Sequence, residues 1–285
     1  MASTNIKIGV IGAGKMGQML LAAFIKAAPL IASMEIHLFA STSSEVSSKK
    51  LQSDPRFVNA VTFTSNDEIL CVANLIFLCV RPHQISDISK SAPKSFEFFG
   101  TLISICAGIS ICKLSELFPN AASFVRCMPS ITCRASSFAS TGLFIMHSEQ
   151  EDPKSSRDSV LIEKLLKPSG AIFWVKTNAE FDAATAIGAS APAFASIFLE
   201  GLADGAVSCG LSRVLAYEIV AQMVAGTAQL ISEGYHPSII KDLVSTPGGC
   251  TIEGVIDLEA NSLRGTAAKS IQKTVWKLSQ LSCNK

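Results

Sequence analysis

IKIGVIGAGKMG, residues 6–17, joins a short apolar run to a glycine-rich turn, and an apolar helical pattern follows from about Met19. A strand, a GxGxxG turn and a helix in this order form the site at which dinucleotides place their pyrophosphate. The first glycine allows the tight turn, the second lets the pyrophosphate approach the backbone, and the third lets helix and strand pack closely. The stretch therefore predicts a dinucleotide-binding turn, and a glycine-rich turn without a ligand is the alternative.

The chain up to about residue 177 alternates short β-rich runs with helical patterns, and from residue 178 onward every pattern is helical. Because the β-rich runs are apolar without strict alternation, they favour strands that are covered on both faces, as in a doubly wound sheet. We therefore predict an α/β fold, with a Rossmann domain of mostly parallel strands over residues 1–177 and an all-α domain over 178–285. The predicted strands are IKIGVI, MEIHLFA, NLIFLCV, GTLISICAG, ASFVRCM, STGLFIM and AIFWVK, and the predicted later helices span 179–209, 212–233, 237–244, 251–260 and 263–281.

The composition excludes several classes of function. Charged residues make up 16% of the chain and the formal net charge is +1, so no broad basic surface is available to bind nucleic acid. The nine cysteines are scattered without CxxC spacing, which predicts reduced thiols, no metal site and a cytoplasmic protein. The first predicted strand begins near residue 6, so we expect no secretory leader ahead of it.

One apolar stretch, Ala183 to Leu199, contains no charged residue. It is short for a membrane span, Pro192 interrupts it and acidic residues flank it, so we expect a helix buried in protein and no membrane partner. The helices after residue 178 carry more apolar surface than they can bury against one another. We therefore expect a homodimer or higher homo-oligomer built on residues 183–211, with burial inside one chain as the alternative.

A second glycine motif is STPGGCT at residues 245–251, and the apolar pattern IEGVIDLE follows it. Two adjacent glycines let successive backbone N–H groups turn toward one point, and Thr251 offers its hydroxyl to the same point at the start of a helix. The motif predicts a site for a small carboxylate.

The second predicted strand ends in ASTSS, residues 40–44, without a carboxylate at its tip. NAD enzymes usually place Asp or Glu there to bind the adenosine ribose hydroxyls. Small hydroxyls at the start of the following helix are instead suited to donate hydrogen bonds to a 2′-phosphate. We therefore expect NADP(H) in preference to NAD(H). A capping box formed by Thr42 and Glu45 is a structural alternative that is compatible with the same preference.

Taken together, the motifs resemble the pyrroline-5-carboxylate reductase family, whose members use NAD(P)H to reduce a cyclic imine to proline. The most specific match is STPGGCTIEGVIDLE at 245–259, which is similar to a family signature like SPGGTT followed by an apolar helix and LE. The resemblance covers nearly the whole chain and implies an N-terminal Rossmann domain with a helical C-terminal domain that builds the dimer. The supporting matches are GAGKMG at 12–17, FLCVRPH at 77–83, SICAGIS at 104–110, VRCMPS at 125–130, ADGAVSCGL at 203–211 and HPSIIKDLVS at 236–245.

The resemblance also implies roles for individual positions. Those at the cofactor are Gly12, Ala13, Gly14, Lys15, Met16 and Gly17 for the pyrophosphate, Ser41, Thr42 and Ser43 for the 2′-phosphate, Asn66 for the adenosine side, Val80, Arg81 and Pro82 for the middle, and Ala107 and Gly108 for the nicotinamide ribose. Those at the substrate carboxylate are Thr246, Gly248, Gly249, Cys250 and Thr251. The hydroxyl of Thr251, the implied catalytic contact, also reaches the imine nitrogen. No strong base is needed, because a cyclic imine takes its proton from solvent before hydride attack.

Several positions near the implied pocket depart from the family pattern. The family's TGLSGSGPAY is TAIGASAPAF at residues 185–194, and an acidic residue of the family is Asn178. We therefore expect Asn178, Ala189 and Ala191 to line the substrate pocket in an altered form. Further departures are Gly188 in place of a serine, and Ser130 and Leu243 in place of asparagines. Three functions stay open: reduction of 1-pyrroline-5-carboxylate to L-proline, reduction of a modified or bulkier cyclic imine in a specialised pathway, and a non-catalytic dinucleotide-sensing protein.

Overall fold

The computed structural model describes residues 4–31, 34–91, 100–134, 142–149 and 156–283, and the chain divides into two compact units. The first unit combines Met1–Ser190 with Thr274–Lys285, and the second is Ala191–Lys273. Residues 178–190 therefore pack with the sheet-bearing unit, although they lie beyond the boundary expected after residue 177. A division of the chain into functional domains at that boundary stays a prediction.

One eight-stranded sheet forms the first unit, in the order β3-β2-β1-β4-β5-β6-β7-β8. Strands β1 to β6 are parallel, whereas β7 is antiparallel to β6 and parallel to β8. The predicted mostly parallel sheet and its seven predicted strands are confirmed, and the three-residue β3 is the additional one. The strands are β1 Thr4–Ile11, β2 Met34–Ser41, β3 Val61–Phe63, β4 Leu75–Leu78, β5 Thr101–Ser104, β6 Ser123–Pro129, β7 Gly142–His147 and β8 Gly170–Val175.

Helices cover both faces of this sheet, as the continuous apolar runs of the strands require. Consecutive strand residues such as Val10 and Ile11 enter two separate clusters of buried side chains. The first cluster contains the buried faces of α1 and α6, and the second those of α3, α4 and α5. These helices are α1 Lys15–Ala27, α3 Asn66–Val72, α4 Ile85–Ser91, α5 Ile111–Leu117 and α6 Arg157–Leu166, and α2 spans Glu45–Gln52.

The order of the strands changes direction at β1. The chain proceeds from β1 to β2 and β3 on one side, and then crosses to β4 on the other side. Open α/β sheets bind their ligands in the crevice at the carboxyl ends of the strands where this switch occurs. The turn after β1 and the turn after β4 border this crevice, so the fold positions the predicted dinucleotide site.

The predicted long helix over 179–209 is confirmed as Asn178–Ser208, with a π-helical turn inside it. Its first part is α7, Asn178–Thr185, which is followed by a π-helical turn over Ala186–Ser190 and then by α8, Ala191–Ser208. Pro192 supplies the physical reason, because it has no N–H to continue the α-helical hydrogen bonds of the preceding turn. The other predicted helices are confirmed as α9 Arg213–Ser232, α10 Pro237–Val244, α11 Cys250–Ala260 and α12 Leu263–Cys283.

Apolar side chains of α8 and α9 remain exposed although the two helices pack together. Ile197 is 72% and Val214 is 70% exposed, whereas Ala203 and Ala216 are buried. Ile197 and Val214 are thus exposed in the single chain, and the expected interface between chains stays a prediction. By length and composition alone, Asn178–Ser208 and Arg213–Ser232 would also be long and apolar enough to cross a membrane.

Candidate cofactor and carboxylate sites

The glycine turn after β1 has the shape that its motif predicts. Gly12 has a φ of +94°, and a Cβ there would lie 2.8 Å from the carbonyl oxygen of Cys79. A Cβ on Gly17 would overlap the carbonyl oxygen of Gly12, so this glycine is required where the helix packs on the turn. Gly14, in contrast, has no protein atom within 4 Å of its Cβ position. The turn is thus closed toward the protein and open at Gly14, the position at which a pyrophosphate would approach.

The N-terminus of α1 is available to an anion. Gly14 is the N-cap and has no side chain to bond to the first-turn N–H groups, and the first turn contains no acidic residue. Lys15 is exposed at the first helical position and adds a positive charge. The unsatisfied N–H groups and the helix dipole therefore favour a phosphate at this end of α1.

Ser41, expected at the 2′-phosphate, lies inside the protein. It is 3% exposed, and its hydroxyl accepts from the Gly12 N–H at 3.3 Å and donates to Asn66 Oδ1 at 2.5 Å. Its carbonyl oxygen accepts from the Ala13 N–H at 2.7 Å. Ser41 thus joins the glycine turn, the end of β2 and the start of α3, which gives it a role in positioning the turn.

The hydroxyls that remain accessible at the tip of β2 are those of the next residues. Thr42 is half-buried and donates to the Ser44 carbonyl oxygen at 2.8 Å, and Ser43 is exposed. Ser44 caps α2 by accepting from the Ser47 N–H at 3.2 Å. The alternative of a capping box between Thr42 and Glu45 is therefore wrong, because the helix begins two residues later than that box requires.

The turns after β4 and β5 contain the other predicted cofactor residues. Val80 and Pro82 are half-buried and Arg81 is exposed, and the Cys106 thiol donates to the Val80 carbonyl oxygen at 2.9 Å. This bond ties the two turns together. A Cβ on Gly108, next to Ala107, would lie 2.6 Å from Leu281 Cβ in the last turns of α12. The end of the chain thus supports the turn that is expected to hold the nicotinamide ribose.

In the second unit, the motif at 245–251 forms a compact loop before α11. The Gly249 N–H donates to the Thr246 carbonyl oxygen at 3.0 Å, and Gly248 has a φ of +68°. A Cβ on Gly249 would overlap the Thr246 hydroxyl, so the double glycine is required by the loop itself. Gly249 is the N-cap of α11 without a side-chain cap, and Cys250 and Thr251 are exposed in the first turn. Free N–H groups and a hydroxyl at a helix N-terminus can bind a carboxylate.

A buried arginine, Arg126 on β6, is a residue that the sequence interpretation missed. It is 3% exposed, and it donates to Asn178 Oδ1 at 2.7 Å and to Asp182 Oδ1 at 3.2 Å. Its guanidinium lies over the Phe181 ring at 4.0 Å from the centroid. Burial lowers the pKa of Arg126, and the carboxylate of Asp182 opposes that shift. Asn178, expected in the substrate pocket, is thus bound to Arg126, and an arginine within an apolar strand run was the available signal.

The structure therefore brings some predicted residues together and separates others by unit. The cofactor residues, Asn178 and Ala189 belong to the first unit, in which Ala189 lies in the π-helical turn. Ala191 and the carboxylate loop belong to the second unit. No group of three or more His, Cys, Asp or Glu side chains with metal-binding geometry occurs within the described residues.

Comparisons with known proteins identify the family of the regions that contain these candidate sites. A family model described as pyrroline-5-carboxylate reductase dimerisation matches residues 178–281, and one described as NADP oxidoreductase, coenzyme F420-dependent, matches residues 7–108. Pyrroline-5-carboxylate reductase 3 of Danio rerio is 34% identical over 272 residues, which cover 94% of this chain and 88% of that protein. The chain belongs to the pyrroline-5-carboxylate reductase family.

Two further members of the pyrroline-5-carboxylate reductase family are similar over nearly their whole length. Pyrroline-5-carboxylate reductase 3 of Bos taurus is 30% identical over 98% of this chain and 86% of its own. The crystal structure of Plasmodium falciparum pyrroline carboxylate reductase with NADP bound has a TM-score of 0.81 at 27% identity, and the match covers 99% of this chain and 100% of that one. As a member of this family, the chain is an NAD(P)-dependent oxidoreductase. Its exposed α8 and α9 lie within the residues matched by the dimerisation model.

Proposed function

We propose that the protein reduces the C=N bond of 1-pyrroline-5-carboxylate with NADPH and forms L-proline. The proposal rests on one observation: this member of the family has two preformed anion sites. One is the open glycine turn at the head of α1, and the other is the glycine loop at the head of α11. A dinucleotide and a small carboxylate are the two ligands that such sites accept.

The residues of the first unit fit a dinucleotide. Gly14 leaves open space, α1 presents uncapped N–H groups, and the turns after β4 and β5 continue the crevice. Bound NADPH would supply the hydride. In this proposal Ala107 and Gly108 orient the nicotinamide ribose, and Val80, Arg81 and Pro82 contact the middle of the cofactor. Positioning of the two reactants then provides most of the rate acceleration.

The residues of the carboxylate loop would hold and orient the imine. The N–H groups at Cys250 and Thr251 bind its carboxylate, with Thr246, Gly248 and Gly249 shaping the loop. The Thr251 hydroxyl donates to the imine nitrogen or accepts from its protonated form. Hydride attack at the C=N carbon then moves the π electron pair onto nitrogen and neutralises the iminium, whose proton came from solvent. No residue has to act as a strong base.

We assign NADP(H) as the preferred cofactor on the chemistry at the tip of β2. No carboxylate follows Ser41, and the hydroxyls of Thr42 and Ser43 lie at the start of α2, whose N-terminus attracts an anion. Glu45 in the first turn of α2 carries the opposing charge, and it is paired with Lys49 at 3.0 Å. Asn66, whose Oδ1 accepts from Ser41, completes the adenosine side.

A second candidate function is the reduction of another cyclic imine carboxylate, and Gly188 favours it. A Cβ at Gly188 would lie 2.6 Å from Leu143 Cδ2 and 2.8 Å from Ile145 Cδ1. The π-helical turn therefore packs closer to β7 than it could with the serine of the family pattern. Ala189 and Ala191 add methyl groups where that pattern has glycine. The pocket would then differ in shape while both anion sites are retained.

The exposed apolar faces of α8 and α9 and the matched dimerisation model support a homodimer, with a small-molecule substrate, no nucleic acid and no membrane as partners. Eight cysteines among the described residues form no disulfide, which supports a cytoplasmic location. Sedimentation of the purified protein tests the assembly. A monomer at micromolar concentration would contradict it.

The direct test of function is an NADPH oxidation assay with racemic 1-pyrroline-5-carboxylate, repeated with NADH and with a six-membered cyclic imine carboxylate. Fast oxidation with the five-membered imine and formation of proline support the proposal. Turnover of the six-membered imine alone supports the second candidate. NADPH binding without turnover of any imine would indicate a dinucleotide-sensing protein.

A further inference from the structure

Arg126 occupies a position at which a charged side chain is costly. It lies within β6, where it pairs with Ser104 of β5 on one side and with His147 of β7 on the other. The sheet is covered on both faces, and Arg126 is 3% exposed. A buried guanidinium persists only where its surroundings offer acceptors and an opposite charge. All the contacts that meet this need among those described come from α7.

The three α7 residues that contact Arg126 share one face of that helix. Asn178 accepts from one terminal nitrogen, Asp182 accepts from the other, and the Phe181 ring lies against the guanidinium plane. Their spacing of three and four residues brings all of them to the same side of α7. The planar guanidinium of Arg126 donates two hydrogen bonds to α7 and stacks on a ring of the same helix. These three contacts fix both the rotation of α7 and its distance from β6.

Helix α7 begins a helical stretch that continues through the π-helical turn to Ser208, and it spans eight residues itself. Thr177 and Glu180 form a capping box at its start, and Phe181 and Thr185 are its buried residues. The contacts to Arg126 bind α7 to β6, beside the packing of its buried side chains. Because the π-helical turn Ala186–Ser190 continues directly from α7, its position follows from the same contacts.

Arg126 makes its hydrogen bonds to α7 although a third nitrogen of the same side chain is left without one. Its Nε is buried without a hydrogen-bond partner among the described residues, and the same holds for Nε2 of the neighbouring His147 and Oγ1 of Thr185. An arginine kept only to stabilise the sheet is expected to satisfy such a group or be replaced by an apolar residue. Arg126 instead directs both terminal nitrogens at α7.

We propose that Arg126 is a positioning residue for the imine, which acts by fixing α7 and thereby the π-helical turn that contains Gly188 and Ala189. The inference rests on the proposed function, in which this turn forms part of the imine pocket. Asp182 is the charged hydrogen-bond acceptor for Arg126 on α7, and Asn178, in place of a carboxylate, is the neutral acceptor. Arg126 therefore acts on imine binding and orientation, while the cofactor turns after β1, β4 and β5 are held by other contacts.

The test is Arg126→Lys, which keeps the charge but loses the planar fork. We expect KM for 1-pyrroline-5-carboxylate to rise by about tenfold, since a misplacement of about 1 Å can cost up to about a hundredfold in rate. The Kd for NADPH, measured by cofactor fluorescence, should stay within about twofold of wild type. Amide hydrogen exchange should become faster than in wild type in residues 178–190, whereas the exchange of α1 should not change. Arg157→Lys, at an exposed arginine of the same unit, is the matched control and should change none of these values.

Asp182→Asn keeps Arg126 and removes only the negative charge of one of its two acceptors. It is the variant to measure if Arg126→Lys does not fold. It should raise KM for the imine in the same direction, and the two substitutions combined should be less than additive in log KM. A folded Arg126→Lys variant with unchanged KM and unchanged exchange in 178–190 overturns the inference, and so does a folded Asp182→Asn variant with these properties. Wild-type protein that turns over no imine refutes the proposed function, and the inference with it, before any variant is compared.

Discussion

The glycine turn after β1 allows a prediction in which two neighbouring substitutions have different consequences. Gly12→Ala forces alanine into a φ of +94°, which costs about 1–2 kcal/mol for a residue with a Cβ. The new methyl would also lie 2.7 Å from Val80 Cγ1 and 2.8 Å from the Cys79 carbonyl oxygen. Overpacking of this kind costs about 1–3 kcal/mol, and the backbone oxygen cannot rotate away. Gly12→Ala should therefore lower the free energy of unfolding by about 2–5 kcal/mol, out of about 5–15 kcal/mol for a typical protein.

Gly14→Ala is the matched substitution two residues later. Gly14 has a φ of −74°, which alanine adopts without strain, and its Cβ position has no protein atom within 4 Å. We expect the melting temperature of this variant to equal that of wild type. The methyl would, however, enter the space that we assign to the pyrophosphate. The Kd for NADPH should rise by at least about tenfold, which corresponds to about 1.4 kcal/mol.

Thermal unfolding of both variants without cofactor and NADPH titration by fluorescence separate the two effects. Gly12→Ala should unfold several degrees lower and bind NADPH weakly, and Gly14→Ala should only bind weakly. Normal NADPH affinity of Gly14→Ala would refute the assigned pyrophosphate position. An unchanged melting temperature of Gly12→Ala would refute the packing of the turn.

Three further substitutions test individual contacts. Thr251→Ala should lower kcat/KM for the imine by about three- to tenfold, which corresponds to the loss of one hydrogen bond. The affinity for NADPH should not change, and Thr251→Ser should restore kcat/KM. Unaltered turnover of Thr251→Ala would contradict the role given to this hydroxyl. Ser43→Asp should shift the ratio of kcat/KM from NADPH toward NADH, because a carboxylate repels the 2′-phosphate and accepts from ribose hydroxyls, and a constant ratio would place the 2′-phosphate elsewhere. Gly108→Ala places a methyl group 2.6 Å from Leu281 Cβ at a φ of +71°, and it should raise the Kd for NADPH without affecting the carboxylate loop; equal affinity would show that the contact between this turn and the end of α12 does not shape the cofactor site.

Much of the fold follows from local sequence patterns. The three glycines of the first motif have the three environments that the motif predicts. Gly12 forms the tight turn, Gly14 leaves open space for a ligand, and Gly17 lets the helix pack closely on the turn. The seven long strand patterns are present, because each is a run of apolar residues; β4 and β5 are buried on both sides, whereas Phe173 of β8 is exposed. The short β3 was missed, since its three residues are held by pairing with β2 rather than by their own pattern.

The remaining details depend on contacts between distant segments. Ser41 has the sequence context of a ligand-binding hydroxyl, and it is its neighbours Gly12 and Asn66 that turn it inward. The cap of α2 is Ser44 rather than Thr42, a choice among adjacent hydroxyls that no pattern distinguishes. Arg126 is separated from Asn178 by 52 positions in the chain, so their hydrogen bond has no local signature.

The sheet-bearing unit is discontinuous in sequence, and this has a consequence for biosynthesis. Residues 1–190 leave the ribosome before Thr274 to Lys285, which complete the same unit. Until then the turn at Gly108 lacks Leu281, and the apolar faces of α8 and α9 have already emerged uncovered. The nascent chain thus carries exposed apolar helices before its cofactor crevice is complete, a state in which aggregation competes with folding. Recombinant production should accordingly respond to chaperone levels and to slower translation, and an affinity tag belongs at the N-terminus, away from the segment that closes the unit.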